Sequence, residues 1–351
     1  MKFTQNVELS KIPVPMSLPA QMSAIIVPQP GGPEVMRLAQ LPLPEIMPGE
    51  VLIRVAAAGV NAPDLAQRAG HYPPPRGASP LLGLEVSGEI VVPAGEWRAG
   101  DRVVALCNGG GYAEYVAVPA GQVLPVPANW SLVDAGALPE TWFTITQTLV
   151  MRAGLAPGMS VLVTGAAGGI GGAAIQISRI LGADPIALVS SAEKAAYVLG
   201  LGAHAAIRHD TDDVAARVRD LTGGKGVDRI VDMVGGDSTT RNIELLAPGG
   251  HLVQVSTLVD RNANIPLARL VRDDLTISGS RLRPQTPETK AAIASHLRGL
   301  IWPALATSTF PHPKIRRFAL AQAPDAHRAA AERGHYGKIV LLTSEAAHAI
   351  K

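Results

Sequence analysis

Val161-Leu-Val-Thr-Gly-Ala-Ala-Gly-Gly-Ile-Gly171 decides the fold. A short apolar, β-branched run leads into a glycine-rich turn. The next ten residues, Gly172 to Leu181, carry apolar side chains at helical spacing. Strand, glycine turn and helix form the context in which a dinucleotide fingerprint has physical meaning. The spacing Ala166-x-Gly168-x-x-Gly171 is an alanine-first variant of G-x-G-x-x-G. Small residues let backbone approach a pyrophosphate, and the helix aims N–H groups and its positive dipole end at the charge. We expect Ala166, Ala167, Gly168, Gly169, Ile170 and Gly171 to cradle a dinucleotide. The bland alternative is a tight turn that binds nothing.

The second strand is expected near Pro185–Ser191, about 20 residues past the glycines, where NAD-specific folds place a carboxylate on the ribose 2′-hydroxyl. This strand ends in Ser190 and Ser191, with Lys194 one turn on. Hydroxyls and an ammonium suit a 2′-phosphate, so the expected cofactor is NADPH. Glu193 is the nearest acid and argues the other way. Arg208 and His209, after the third strand, are expected to add charge. A solvated helix residue is the bland reading of Lys194.

Outward from this core, 351 residues suggest two domains. A hydrophobic fraction of 47% provides ample core without staples. Net charge is +2 with no long basic run, which disfavours a nucleic-acid partner. One cysteine, Cys107, excludes an internal disulfide and fits a reducing, cytoplasmic setting. No stretch reaches the 18 or so consecutive apolar residues of a membrane span. Residues 1–21 lack a signal-peptide core and read as an irregular extension.

From Ala24 to about Leu124 short strand candidates alternate with Pro/Gly turns. They are Ala24–Val27, Glu50–Val55, Val86–Val92 and Arg102–Leu106. A single helix is predicted over Asp134–Met151. Then α and β segments alternate, as a parallel sheet requires. Strands are expected within Asp228–Gly236 and Gly249–Ser256, and a helix over 287–298. Lys338–Leu342 reads as a terminal strand returning to the first domain. The expected domains are 22–145 with 287–351, and 146–286.

Nine further ordered motifs accompany the glycine turn. They include Gly59-Val-Asn-Ala-Pro-Asp64, Gln67-Arg-Ala-Gly-His-Tyr-Pro-Pro-Pro75, Gly83-Leu-Glu-Val-Ser-Gly88, Gly110-Gly-Tyr-Ala-Glu-Tyr115, Leu138-Pro-Glu-Thr-Trp142 and Gly337-Lys-Ile-Val-Leu341. From Met22 to Thr343 the chain resembles the zinc-free quinone oxidoreductases of the medium-chain dehydrogenase/reductase superfamily, especially the stress-inducible subgroup. The resemblance implies an α/β architecture: a GroES-like β-barrel catalytic domain plus a Rossmann doubly wound parallel sheet, with the nicotinamide in the cleft between them. Zinc-dependent relatives carry a cysteine where this chain has Asn61 and a histidine where it has Leu84. No metal is therefore expected.

The resemblance further implies hydride transfer from NADPH to a quinone. It places Asn61 at the nicotinamide ribose or the substrate carbonyl, with capping of the next helix as the plain alternative. Tyr72 falls in the substrate-facing loop, or is a packing peg. Thr144, Val234, Ser256, Arg283 and Lys338 are expected at the cofactor. An ion pair with Asp273 or Asp274 is the alternative for Arg283, and a surface position for Lys338. Two rival readings stay open: an enone or enoyl-thioester reductase, and an NADPH-binding structural or regulatory protein with little turnover. A homodimer is expected through an edge strand within Leu275–Ser280.

Overall fold

The computed structural model describes residues 18–343. The predicted extension falls outside them as far as residue 17. Of its last four residues, Leu18 to Ala20 form no regular element, although Leu18 packs on the cluster of Ile46, Leu52 and Val92, and Gln21 opens the first strand. Strands β1 (Gln21–Ile26) and β2 (Arg37–Pro42) form an antiparallel pair. A larger sheet is built from β3 (Glu50–Val60), β4 (Glu85–Val92), β5 (Arg102–Leu106), β6 (Tyr115–Pro119) and β7 (Val123–Pro125). Alternate residues of these strands enclose a core of Val51, Ile53, Val86, Ile90, Val103 and Val116, while residues between them, such as Leu52 and Val104, are buried against other layers.

The predicted single helix over 134–151 is broken. Leu132–Ala135 stops at Gly136, and a new helix, Pro139–Ile145, starts with proline in its first turn. Proline lacks the N–H that a continuous helix would need there, so the chain restarts instead of running through. Thr146–Arg152 then opens into wider π-type turns. Thr144 and Thr148 hydroxyls bond carbonyls four residues back, at 2.7 Å each.

The second sheet lies in one continuous stretch. It contains β8 (Ser160–Val163), β9 (Asp184–Val189), β10 (Ala205–Arg208), β11 (Val227–Asp232), β12 (Leu246–Gln254) and β13 (Thr276–Gly279). All six are parallel, in the order β10-β9-β8-β11-β12-β13. Val161 and Val163 face one apolar layer and Leu162 the other, so both faces of the sheet are covered. The strand order reverses between β8 and β11. That switch point opens a crevice at the carboxyl ends of the strands. Beyond β13, the helix Pro287–His296 leads back to β14 (Ile315–Ala319) and β15 (Lys338–Leu342). β15 pairs parallel with β14 and antiparallel with β3, so the last strand completes the first sheet, as the sequence predicts. No helix among the described residues is long and apolar enough to cross a membrane.

Candidate active site

The glycine turn after β8 feeds the helix Gly169–Ile180, whose N-cap is Gly168. Gly171 is the tightest point. A Cβ there would lie 2.4 Å from Ala166 Cα, so only glycine lets this helix sit against the strand end. A groove of about 950 Å³ opens over the turn. Of the predicted cofactor residues it is lined by Ala166, Ala167, Gly168, Ser190, Lys194, His209 and Val234. The small residues, the helix N-terminus and the adjoining cation match the chemistry of a dinucleotide phosphate.

Lys194 Nζ bonds Ser190 Oγ at 3.2 Å rather than a carboxylate. Ser191 instead caps its helix, accepting from the Lys194 N–H at 3.2 Å. Glu193 is turned aside: its carboxylate accepts from Tyr336 Oη at 2.5 Å. Arg208 forms an ion pair with Asp210 at 2.8 Å, leaving His209 at the groove. Asp213 lines the same groove, but its Oδ1 caps the helix Val214–Leu221 at 3.0 Å from Ala216 N. Arg219, Arg241 and His335 also line it, and the sequence reading does not include them.

The remaining predicted residues sit elsewhere. Gly169 borders a narrow crevice with Thr141 and Lys338. Ile170 packs on the sheet core. Ser256 lies past the end of β12, its carbonyl accepting from Gln254 Nε2 at 2.6 Å. Thr144 is buried, its hydroxyl committed to the Glu140 carbonyl.

Two of the alternatives weighed for these residues do not hold. Lys338 is not a surface lysine. It is 5% exposed, and its Nζ lies 2.6 Å from both Glu85 Oε1 and Asn61 Oδ1. Its ammonium is engaged by this buried ion pair. Arg283 does not pair with Asp273 or Asp274. Asp273 takes Arg269 and Arg272, while Arg283 Nη1 reaches Gln67 Oε1 at 2.8 Å and Nη2 reaches Asn108 O at 2.9 Å. Its guanidinium lies 5.5 Å from the Tyr72 ring centre. Arg283 thus bridges from the segment after β13 to the loops of the first sheet, and holds Tyr72 at the same place.

Asn61 stands at the N-cap position of the helix Ala62–Arg68, but its side chain does not cap it. Instead the Asp64 carboxylate accepts from the Asn61 N–H at 2.9 Å. The Asn61 amide faces inward and donates to Glu85 Oε1 at 2.8 Å. Glu85 is fully buried on β4, and its Oε2 accepts from the Glu140 N–H at 2.9 Å. Gly59 on β3 makes room for it, since a Cβ there would fall 1.9 Å from Glu85 Oε1.

Around this hub are other ionisable groups absent from the sequence reading. Burial pushes Asp64 up to about 6, against hydrogen bonds from the Gly83 and Asn61 N–H groups. Burial, then the charges of Glu85 and Asp64, push Glu140 up to about 8. Burial pulls Lys290 down to about 8; its Nζ donates to Asn108 Oδ1 and to Arg283 O. This buried, paired cluster reaches the glycine turn through Lys338, which lines a crevice with Gly168 and Gly169.

Comparison with known proteins agrees. Residues 47–128 match the family described as alcohol dehydrogenase GroES-like domain, and 169–296 the family described as zinc-binding dehydrogenase. The chain is 34% identical to a quinone oxidoreductase of Pseudomonas aeruginosa over 325 residues, 89% of this chain and 97% of that one. It is 32% identical to the Sus scrofa quinone oxidoreductase over 342 residues, 92% and 98% of the two chains. A mycobacterial protein solved in complex with NADPH aligns with TM-score 0.78 at 30% identity, covering 92% of this chain and all of its own. With the parallel sheet, the returning β15 and full-length identity in agreement, the chain belongs to the quinone oxidoreductases of the medium-chain dehydrogenase/reductase superfamily.

Proposed function

We propose that this chain is an NADPH-dependent reductase that passes a hydride to a quinone without a metal. The observation that carries the cofactor choice is the rim of the groove. Ser190 and Lys194 stand together there, and Glu193 is held away by Tyr336. Names carried by its relatives support the acceptor class, and the NADPH-bound neighbour supports the cofactor. Bound NADPH supplies the hydride from nicotinamide C4. Ala166 to Gly168 bring backbone and a helix N-terminus to the pyrophosphate. Lys194, Ser190 and His209 meet the 2′-phosphate. Asn61 and Tyr72 border the acceptor, Asn61 oriented by Glu85 and Lys338, Tyr72 by Arg283. Asn61 is bound into its network and Leu84 is a buried aliphatic, so neither offers a thiolate or imidazole to zinc. A quinone is already electron-poor, so orientation rather than a Lewis acid starts the transfer.

Fluorescence titration should show NADPH binding at least about tenfold tighter than NADH, roughly 1.4 kcal/mol, with the preference lost in Lys194→Ala. NADPH oxidation should then follow ortho- and para-quinones in preference to enones and enoyl thioesters. Equal affinities would sink the cofactor assignment. Faster turnover of an enoyl thioester would move the reaction to that class, and tight NADPH binding with no turnover would make the chain a binding protein.

We also propose a homodimer. β13 is the outermost strand of the parallel sheet, and its far edge carries no partner among the described residues. Leu258 and Val259, and Leu267 and Val271 on the helix just before β13, are exposed apolar residues in the adjoining segment. Light scattering at micromolar concentration should give twice the chain mass. The double substitution Leu267→Asp, Val271→Asp should give one chain mass with the fold intact. A parent protein that runs as a monomer refutes the dimer.

A further inference from the structure

We propose that Glu140 is the proton donor for the reduced acceptor, an inference that rests on the quinone-reductase reading above. Glu140 occupies the first turn of the helix Pro139–Ile145, directly after the break in the chain. Its N–H is fixed to Glu85 Oε2, which ties this turn to the Asn61–Glu85–Lys338 cluster. One helical turn along stands Thr144, whose hydroxyl is bonded to the Glu140 carbonyl. The carboxyl itself makes no hydrogen bond among the described residues, and it is not one of the sealed, partnerless polar groups of the interior. It is the acid of this cluster left uncommitted: Glu85 is taken by Asn61 and Lys338, and Asp64 by the Asn61 and Gly83 N–H groups.

Charged and titratable groups act on Glu140 from several of the elements around it. They are Glu85 on β4, Asp64 on the helix Ala62–Arg68, Lys338 on β15, Lys290 on the helix Pro287–His296, and Tyr72 and Arg283 from the loops. Cys107, after β5, also feels it. Burial and the two neighbouring carboxylates hold the proton on Glu140 at neutral pH. Lys338 and Lys290 favour the carboxylate once the proton has left.

The balance is simple. Hydride arrival places two electrons and one hydrogen nucleus on the quinone, and a negative charge on its oxygen. The Glu140 O–H bond breaks, an O–H bond forms on that oxygen, and the product is the hydroquinone. Glu140 is left as carboxylate and takes its next proton from water when the product departs. A carboxylic acid with its affinity near the working pH suits this role.

The test is steady-state quinone reduction by the parent enzyme, Glu140→Gln and Glu140→Asp, across pH 6 to 9.5 and in heavy water. A donor must be protonated, so the parent kcat should fall as pH rises through about 8. Glu140→Gln should lower kcat at pH 7 by about 100-fold, abolish that limb and abolish the solvent isotope effect, with NADPH affinity within twofold of the parent. Glu140→Asp should restore part of the rate and the limb. Lys290, brought to about 8, is the competing source of such a limb. Survival of the limb in Glu140→Gln with its loss in Lys290→Gln would overturn the proposal. So would a parent rate insensitive to heavy water, which needs no variant to fold. A parent active on quinones with an equally active Glu140→Gln overturns this inference alone. A parent inactive on every quinone overturns the reading beneath it as well.

Discussion

Lys338→Met should lower the free energy of unfolding by about 3–5 kcal/mol, the usual cost of breaking a buried ion pair from one side. The Lys338 and Glu85 side chains are 6% and 0% exposed. Methionine fills nearly the same space, so packing changes little. What changes is Glu85, which keeps the Asn61 amide and the Glu140 N–H but loses its only cation in contact among the described residues. Desolvation of an uncompensated carboxylate then outweighs the apolar gain. Denaturant unfolding of the single variants and of Lys338→Met combined with Glu85→Gln isolates the coupling. The double variant should recover most of the loss. A single-variant cost below about 1 kcal/mol would show that the pair behaves as a surface one.

Gly171→Ala should weaken NADPH binding by 100-fold or more and cost about 1–3 kcal/mol of stability. The added Cβ would meet Ala166 Cα, O and C at 2.4, 2.5 and 2.6 Å. These are backbone atoms of the very turn proposed to cradle the phosphates, so they cannot rotate away as a side chain would. The helix must slide, and its N–H groups lose their aim. Gly172→Ala is the internal control. There the new Cβ meets only Leu201 Cδ1 at 3.3 Å, and alanine is the better helix former. NADPH affinity for Gly171→Ala equal to that of Gly172→Ala would refute the argument.

The contrast between these two sites explains what could be read from the sequence. The turn at 165–171 is local: strand, small residues and helix follow one another, and their periodicities are visible in a window of 20 residues. β5 was legible for the same reason, and its predicted bounds, Arg102–Leu106, are those observed. The ion pair between Glu85 and Lys338 spans 253 positions and exists only because β15 lies against β3 and β3 against β4. No spacing rule points to it, so the sequence leaves Lys338 between a cofactor contact and a surface position and does not pair it with Glu85. The alternative of an ion pair for Arg283 fails for the same reason, since Asp273 and Asp274 are near in sequence whereas Asn108 and Gln67 are near in space. Glu140 did leave a trace: it is the sole charged residue between Asp134 and Arg152. An isolated acid in so apolar a stretch has to be buried with company, and the residue merited attention on that ground. The broken helix was also foreshadowed, by Gly136 and Pro139.

The return of the last strand also sets the order in which the protein can be made. The six parallel strands occupy 160–279 without interruption, so that layer can close while the ribosome is still translating. The other sheet cannot. β3 waits for β15, and Glu85 waits for Lys338, until some 280 residues after β3 have been synthesised. During that interval a buried carboxylate and a half-built barrel have no cation and no edge. A nascent chain stalled before residue 338 should therefore display a folded nucleotide-binding layer tethered to an open, protease-sensitive first sheet, and the emergence of β15 should be the event that shuts it.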